Sequence, residues 1–162
     1  MQKNDAIIYE YGDKYHIIQR SQQNKNAPYS ASENVALTAS LPLDVDNISL
    51  GKNALLALNS YGIVDPSHSP WELKELRKQL CGWVVAKSYQ SLLKNCRIVI
   101  LLKDFKHNKI EIIPFDNCNY NKWESMMSDR IIYLPIDSGT EEVGDAINKA
   151  FLEATYHPER KK

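Results

Sequence analysis

The chain repeats itself. Leu41-Pro42-Leu43-Asp44 leads into Leu50-Gly51 and Ala57-Leu58. Ninety-three residues later, without a gap, Leu134-Pro135-Ile136-Asp137 leads into Val143-Gly144 and Ala150-Phe151. Leu, Pro, Asp, Gly and Ala are identical at matching places, and Leu43/Ile136, Leu50/Val143 and Leu58/Phe151 exchange one apolar residue for another. A repeat of this length is organised by architecture. It predicts two similar halves and directs attention away from single reactive residues.

Each copy opens with an apolar run, Val35 to Leu41 and Arg130 to Leu134, read as a strand that ends at a proline. Proline has no N–H for a sheet ladder, so pairing stops there or the strand lies at an edge. A polar loop follows, and then a helical stripe. Its positions are Leu50, Ala54, Ala57, Leu58 and Tyr61 in the first copy, and Val143, Ile147, Ala150, Phe151 and Ala154 in the second. Both have the spacing i, i+4, i+7, i+8, i+11 of one amphipathic face. Ser138 and Glu141 have capping-box spacing, which places a helix start at Ser138. Gly51 and Gly144 fall in the first turns, where glycine costs about 1 kcal/mol of helix propensity relative to alanine. Their presence in both copies implies that another backbone packs closely against each helix.

Upstream, Ala6–Glu10 with Tyr15–Arg20, and Arg97–Lys103 with Lys109–Phe115, read as hairpins, the second with the longer connection. Between the halves, Ser69-Pro70-Trp71-Glu72 is a helix start, with Gly82 as its expected stop, and Ser88 caps a short helix from Tyr89 to Lys94. The expected fold class is α+β. Two β-β-loop-β-α halves, residues 6–61 and 97–154, flank a helical connector, 69–95, in a single domain spanning 1–162. Their strands form mainly antiparallel sheet with helices covering a face.

Composition narrows the function classes. The formal net charge is zero, which weakens general nucleic-acid or anionic-membrane binding. No apolar run approaches the roughly 20 residues that span a bilayer, and the N-terminus lacks the apolar core of a signal peptide. Cys81, Cys96 and Cys118 are odd in number and scattered, as expected of a reducing cytoplasm. His16, His68, His107 and His157 have no metal-ligand spacing and read as scattered surface histidines. No glycine-rich phosphate loop is present. No catalytic, cofactor or metal site is therefore assigned. The enzyme alternative is a small hydrolase or transferase built around Cys118 or the repeat carboxylates, and a third reading is a self-associating adaptor module.

Two groups of residues carry a partner-binding reading. Asp44 and Asp46 occupy one strand-to-helix loop, and Asp137, Glu141 and Glu142 its repeat. Acids at helix N-termini each stabilise the helix by about 0.3–1 kcal/mol, which accounts for most of them structurally. The sharper reading is an acidic face that meets a basic partner. Tyr120 and Trp123 lie in the polar stretch Asp116–Ser128 and are of the residue types favoured as interface anchors, although loop aromatics more often fold back over a core.

The order of a hairpin, a Leu-Pro strand, Leu50-Gly51-Lys52-Asn53-Ala54, a helical middle with Ala86-Lys87-Ser88-Tyr89, a second hairpin ending Ile110-Glu111-Ile112-Ile113-Pro114, and Glu142-Val143-Gly144-Asp145-Ala146 resembles the contact-dependent growth inhibition immunity proteins over about residues 5–154. The resemblance implies a small cytoplasmic protein that binds and blocks the C-terminal toxin domain of a cell-surface effector, commonly a nuclease. It implies specificity in variable loops and transfers no family-wide functional residue to this chain.

Overall fold

The computed structural model describes residues 3–22, 32–62, 70–117 and 125–156. Strands β1 (Lys3–Tyr11), β2 (Lys14–Gln22) and β3 (Ser32–Pro42) precede helix α1 (Asn47–Asn59). Helices α2 (Pro70–Val84) and α3 (Tyr89–Asn95) follow. The chain then forms β4 (Arg97–Asp104), β5 (Lys109–Asp116), the short β6 (Ser125–Met126), β7 (Ile132–Pro135) and α4 (Thr140–Glu153). All strands join one antiparallel sheet in the order β3-β2-β1-β4-β5, with β7 on the first part of β5 and β6 on its end.

The pairing register reproduces the sequence repeat. Lys14 pairs with Pro42 and Lys109 with Pro135; Tyr15 pairs with Leu41 and Ile110 with Leu134. The first strands of the two halves, β1 and β4, pair antiparallel with each other at the centre, Ile7 opposite Ile100. An approximate two-fold axis therefore passes through the middle of the sheet. The tight β1–β2 turn places Gly12 and Asp13 both at φ +59°, the mirror-image turn that suits the strands' twist. The β4–β5 turn is longer and is organised by buried Asp104. Its carboxylate accepts from the Lys106 and His107 amides and from His107 Nδ1 at 2.8 Å.

Helix packing extends the symmetry. α1 and α4 lie on one face, over Ala6, Ile8, Ile17, Val99, Leu101 and Ile112. Leu50, Ala54, Ala57 and Leu58 are buried, as are Val143, Ile147, Ala150 and Phe151; each large aliphatic side chain so buried contributes about 1.5–3 kcal/mol. Both helices end before the last expected stripe positions, so Tyr61 and Ala154 lie just beyond them. Asn4 donates to the Leu58 carbonyl (3.2 Å) and Arg97 to the Phe151 carbonyl (3.0 Å), the same contact ninety-three residues apart. These bonds satisfy carbonyls that the helix ends would otherwise leave unpaired.

Several expectations are corrected. Helices cover both faces of the sheet: α2 and α3 pack Leu80, Val84 and Leu92 on the opposite side, over Ile7, Tyr9, Ile18 and Ile98. Gly82 does not stop α2. The helix continues to Val84, and Val85 takes the left-handed conformation (φ +58°) while the Ala86 amide bonds back to the Cys81 carbonyl. Ser138 does not cap α4. Its amide closes a turn onto the Pro135 carbonyl, and the helix starts from Gly139. Arg130 belongs to a 3-10 turn, Ser128–Arg130, and not to the strand. His16 is buried rather than at the surface; its Nε2 donates to the Tyr11 carbonyl and its Nδ1 accepts from the Ser40 hydroxyl.

Candidate partner-binding site

The two strand-to-helix turns are built alike. The Val45 amide bonds to the Pro42 carbonyl and the Ser138 amide to the Pro135 carbonyl, each at 3.1 Å. The first helical bonds also match: Leu50 to Asp46 and Val143 to Gly139, each at 3.0 Å. The N-caps differ. In the first copy the Asp46 carboxylate accepts from the Ser49 amide (2.8 Å) and hydroxyl (2.7 Å). Those bonds, the amide first, hold the carboxyl below its ordinary range. The second copy has Gly139 and no side-chain cap, and its first turn carries Glu141 and Glu142 instead.

The backbone that packs against each first-turn glycine is the other helix. A β-carbon at Gly51 would stand 1.7 Å from the Thr140 carbonyl oxygen, and one at Gly144 would stand 1.9 Å from that of Asn47. Reciprocal glycines thus let the N-terminal turns of α1 and α4 meet backbone to backbone. Asn148 fixes the contact by donating to Asn47 Oδ1 (2.7 Å) and accepting from the Tyr15 hydroxyl (3.1 Å). The Tyr15 ring stacks on Phe151 beneath, with centroids 4.9 Å apart.

This crossing brings parts of the two repeat loops together. An open groove forms between the helix starts, lined by Asn47, Ile48, Thr140, Glu141, Glu142 and Asp145, with Gly139 at its end. Glu141 and Glu142 are exposed there, and Asp46 borders the groove as the residue before Asn47. Asp145 is paired with Lys149 at 2.7 Å. Asp44 and Asp137 are exposed in the preceding turns and are not among the residues lining the groove. Tyr120 and Trp123, and Cys118 of the enzyme alternative, lie outside the described residues.

Two helix N-termini side by side concentrate unpaired amides and the positive ends of two dipoles, so acids around them are stabilised whatever else they do. The outward face of α1 adds Ile48, which is 54% exposed beside the carboxylates. Sequence reasoning passed over it because it lies off the buried stripe, although an apolar residue out of phase on an amphipathic helix was the available signal. Exposed carboxylates around an exposed aliphatic side chain suit recognition of a cationic surface with an apolar centre. The described lining contains no histidine or cysteine to act as base or nucleophile. Among the described residues no group of three or more His, Cys, Asp or Glu is placed to hold a metal ion. No described helix is long and apolar enough to cross a membrane.

Comparisons with known proteins follow the fold. No curated protein matches the chain. A Neisseria meningitidis protein of unknown function superposes with a TM-score of 0.71 at 21% identity, covering 94% of this chain and 96% of that one. A chain of the CdiA-CT/CdiI toxin and immunity complex from Yersinia pseudotuberculosis superposes with a TM-score of 0.72 at 17% identity, covering 96% and 99%. At these identities the likeness establishes the fold. The family model for CdiI, the CDI immunity protein, matches residues 5–153, and the chain belongs to that family.

Proposed function

We propose that this protein is a non-enzymatic inhibitor that binds the toxin domain encoded with it and holds that domain inactive in the cytoplasm. Membership of the CDI immunity family over nearly the whole chain carries the reading. The toxin and immunity complex among the similar folds supports it. The toxin is proposed to be a nuclease, because an acidic surface complements the basic cleft that holds a phosphate backbone. Asp44, Asp46, Asp137, Glu141 and Glu142 are proposed to steer and seat that cleft, with Tyr120 and Trp123 as apolar anchors.

The test is co-expression with the toxin domain encoded immediately upstream, followed by purification of the toxin. Growth protection together with a stoichiometric complex is expected. With both proteins folded and the toxin active, absence of both would reject the immunity role and favour the enzyme alternative. An inhibitory interface of about 800 Å² per partner rests on a few anchors, so alanine at a true anchor should weaken binding by about 2 kcal/mol or more. Glu141→Gln with Glu142→Gln separates steering from folding. The pair should slow association and flatten its salt dependence while leaving the fold intact. If all seven candidates can be replaced without loss of affinity in a folded protein, the interface lies elsewhere.

A further inference from the structure

The sheet face opposite the helix crossing carries a second charged surface. Lys74, Arg77, Lys78 and Cys81 follow one another at i, i+3, i+4 and i+7 along α2, one stripe of that helix. With Lys87, Ser88 and Tyr89 they line an open groove of about 540 Å³ between α2 and the start of α3. All four cations are exposed, and the described lining contains no carboxylate. The Arg77 guanidinium lies 5.0 Å from the centroid of the Tyr89 ring. Lysine stems, the Tyr89 ring and the half-buried Cys81 give the groove an apolar floor beneath its charged rim.

Arg77 and Tyr89 also wall a smaller cavity of about 210 Å³ that reaches the sheet at Tyr9, Arg20, Glu33 and Asn34. Two buried polar atoms of residues lining it have no hydrogen-bond partner among the described residues: Arg20 Nε, a donor, and Asn34 Oδ1, an acceptor. The rest of each group is engaged. Arg20 bonds Asp5 Oδ2 and the Ser32 carbonyl, each at 2.7 Å, and Asn34 Nδ2 donates to the Tyr9 hydroxyl at 3.1 Å. Unpaired buried polar atoms are uncommon in folded proteins.

We propose that this groove binds an acidic, partly apolar segment of a partner polypeptide, its carboxylates set against Lys74, Arg77, Lys78 and Lys87. A polypeptide brings carboxylates for the cations and apolar side chains for the floor. A nucleic-acid backbone brings phosphates for the cationic rim but no aliphatic side chains for the apolar floor. The surface lies across the sheet from the acidic groove, and its assignment does not depend on the toxin reading.

The experiment titrates the full-length ¹⁵N-labelled protein with a random glutamate–tyrosine copolymer, with polyuridylate and polylysine in parallel. Amide shifts are expected at Lys74–Cys81 and Lys87–Tyr89 with the acidic copolymer. The combined variant Lys74→Glu, Lys78→Glu and Lys87→Glu should lose about tenfold or more in affinity, and the matching glutamine variant should lose less. Unchanged urea midpoints would show that both variants remain folded. Shifts confined to other regions, no binding, or equal binding by the charge-reversed variant would overturn the proposal. Polyuridylate binding as tightly in the same groove would overturn the choice of a polypeptide.

Discussion

Replacing Gly51 with alanine sets a methyl group against a backbone. The new carbon would stand 1.7 Å from the Thr140 carbonyl oxygen, half the 3.4 Å at which ordinary contact begins, and the obstacle is main chain. No rotamer change can relieve it, so α1 and α4 must part. Parting them loosens Leu50, Ala54, Val143 and Ile147, which are buried beside the crossing, and stretches the Asn148–Asn47 bond. Overpacking of a tight core costs about 1–3 kcal/mol and sometimes more; a backbone obstacle belongs at the upper end. Alanine recovers about 1 kcal/mol of helix propensity. The net expectation for Gly51→Ala is a loss of about 2 kcal/mol or more, read as a lower urea midpoint and a Tm lower by about 4–8 °C. Gly144→Ala meets the Asn47 carbonyl oxygen at 1.9 Å and should behave alike. Because one separation relieves both clashes, the double variant should cost clearly less than the sum of the singles. Stability at or above wild type in either single variant, the outcome of propensity alone, would refute the backbone-to-backbone crossing.

The remaining predictions concern a strained turn and a buried imidazole. Val85 is 85% exposed and held at φ +58°, a conformation that costs a non-glycine residue about 1–2 kcal/mol, so Val85→Gly should raise stability by about 1 kcal/mol. Val85→Ala, which keeps the conformational cost, should change little, and equal midpoints for the glycine and alanine variants would sink the explanation. Burial pushes the His16 imidazole below its ordinary value, against a smaller opposing effect of its bond to the Tyr11 carbonyl. The unfolded chain therefore takes up the proton first as pH falls. The stability contributed by neutral His16 is complete above about pH 6.5 and is lost as pH falls toward the lower folded value. Urea midpoints measured from about pH 7.5 to about pH 5 should fall in the wild type and fall less in His16→Gln, provided the variant folds; parallel profiles would remove His16 from the account.

How much of this was legible in the sequence depends on which interactions a repeat preserves. Gly51 and Gly144 announced a backbone neighbour, because nothing else justifies a glycine in the same helical turn twice. That each glycine's neighbour is the other's helix is a tertiary fact, and only that fact brings Glu141 and Glu142 beside Asn47 and Ile48. The second covered face was misjudged for a readable reason. Ala6-Ile7-Ile8-Tyr9 is apolar without alternation, the pattern of a strand buried on both sides, and β1 is buried on both sides here. Gly82 misled because glycine permits a helix stop without requiring one. The connection into α3 set the end three residues later and imposed the left-handed conformation on Val85.

The two copies also show how far structure alone explains the acidic residues. The same turn opens both helices, yet the first caps its amides with Asp46 and the second uses Gly139 followed by two glutamates. If helix capping were the whole reason for these acids, one device would serve both copies, since the backbone bonds around it are the same. Asp46 has a defined capping geometry. Glu141 and Glu142 project from the groove, and no ion pair or side-chain hydrogen bond with a described residue accounts for them. Their interaction with the α4 dipole is weak at an exposed site and screened by salt. The asymmetry ties Asp46 to helix capping as well as to the proposed partner surface, and leaves Glu141 and Glu142, beside exposed Ile48 in the first turn of α1, as the proposed partner residues that no capping bond accounts for.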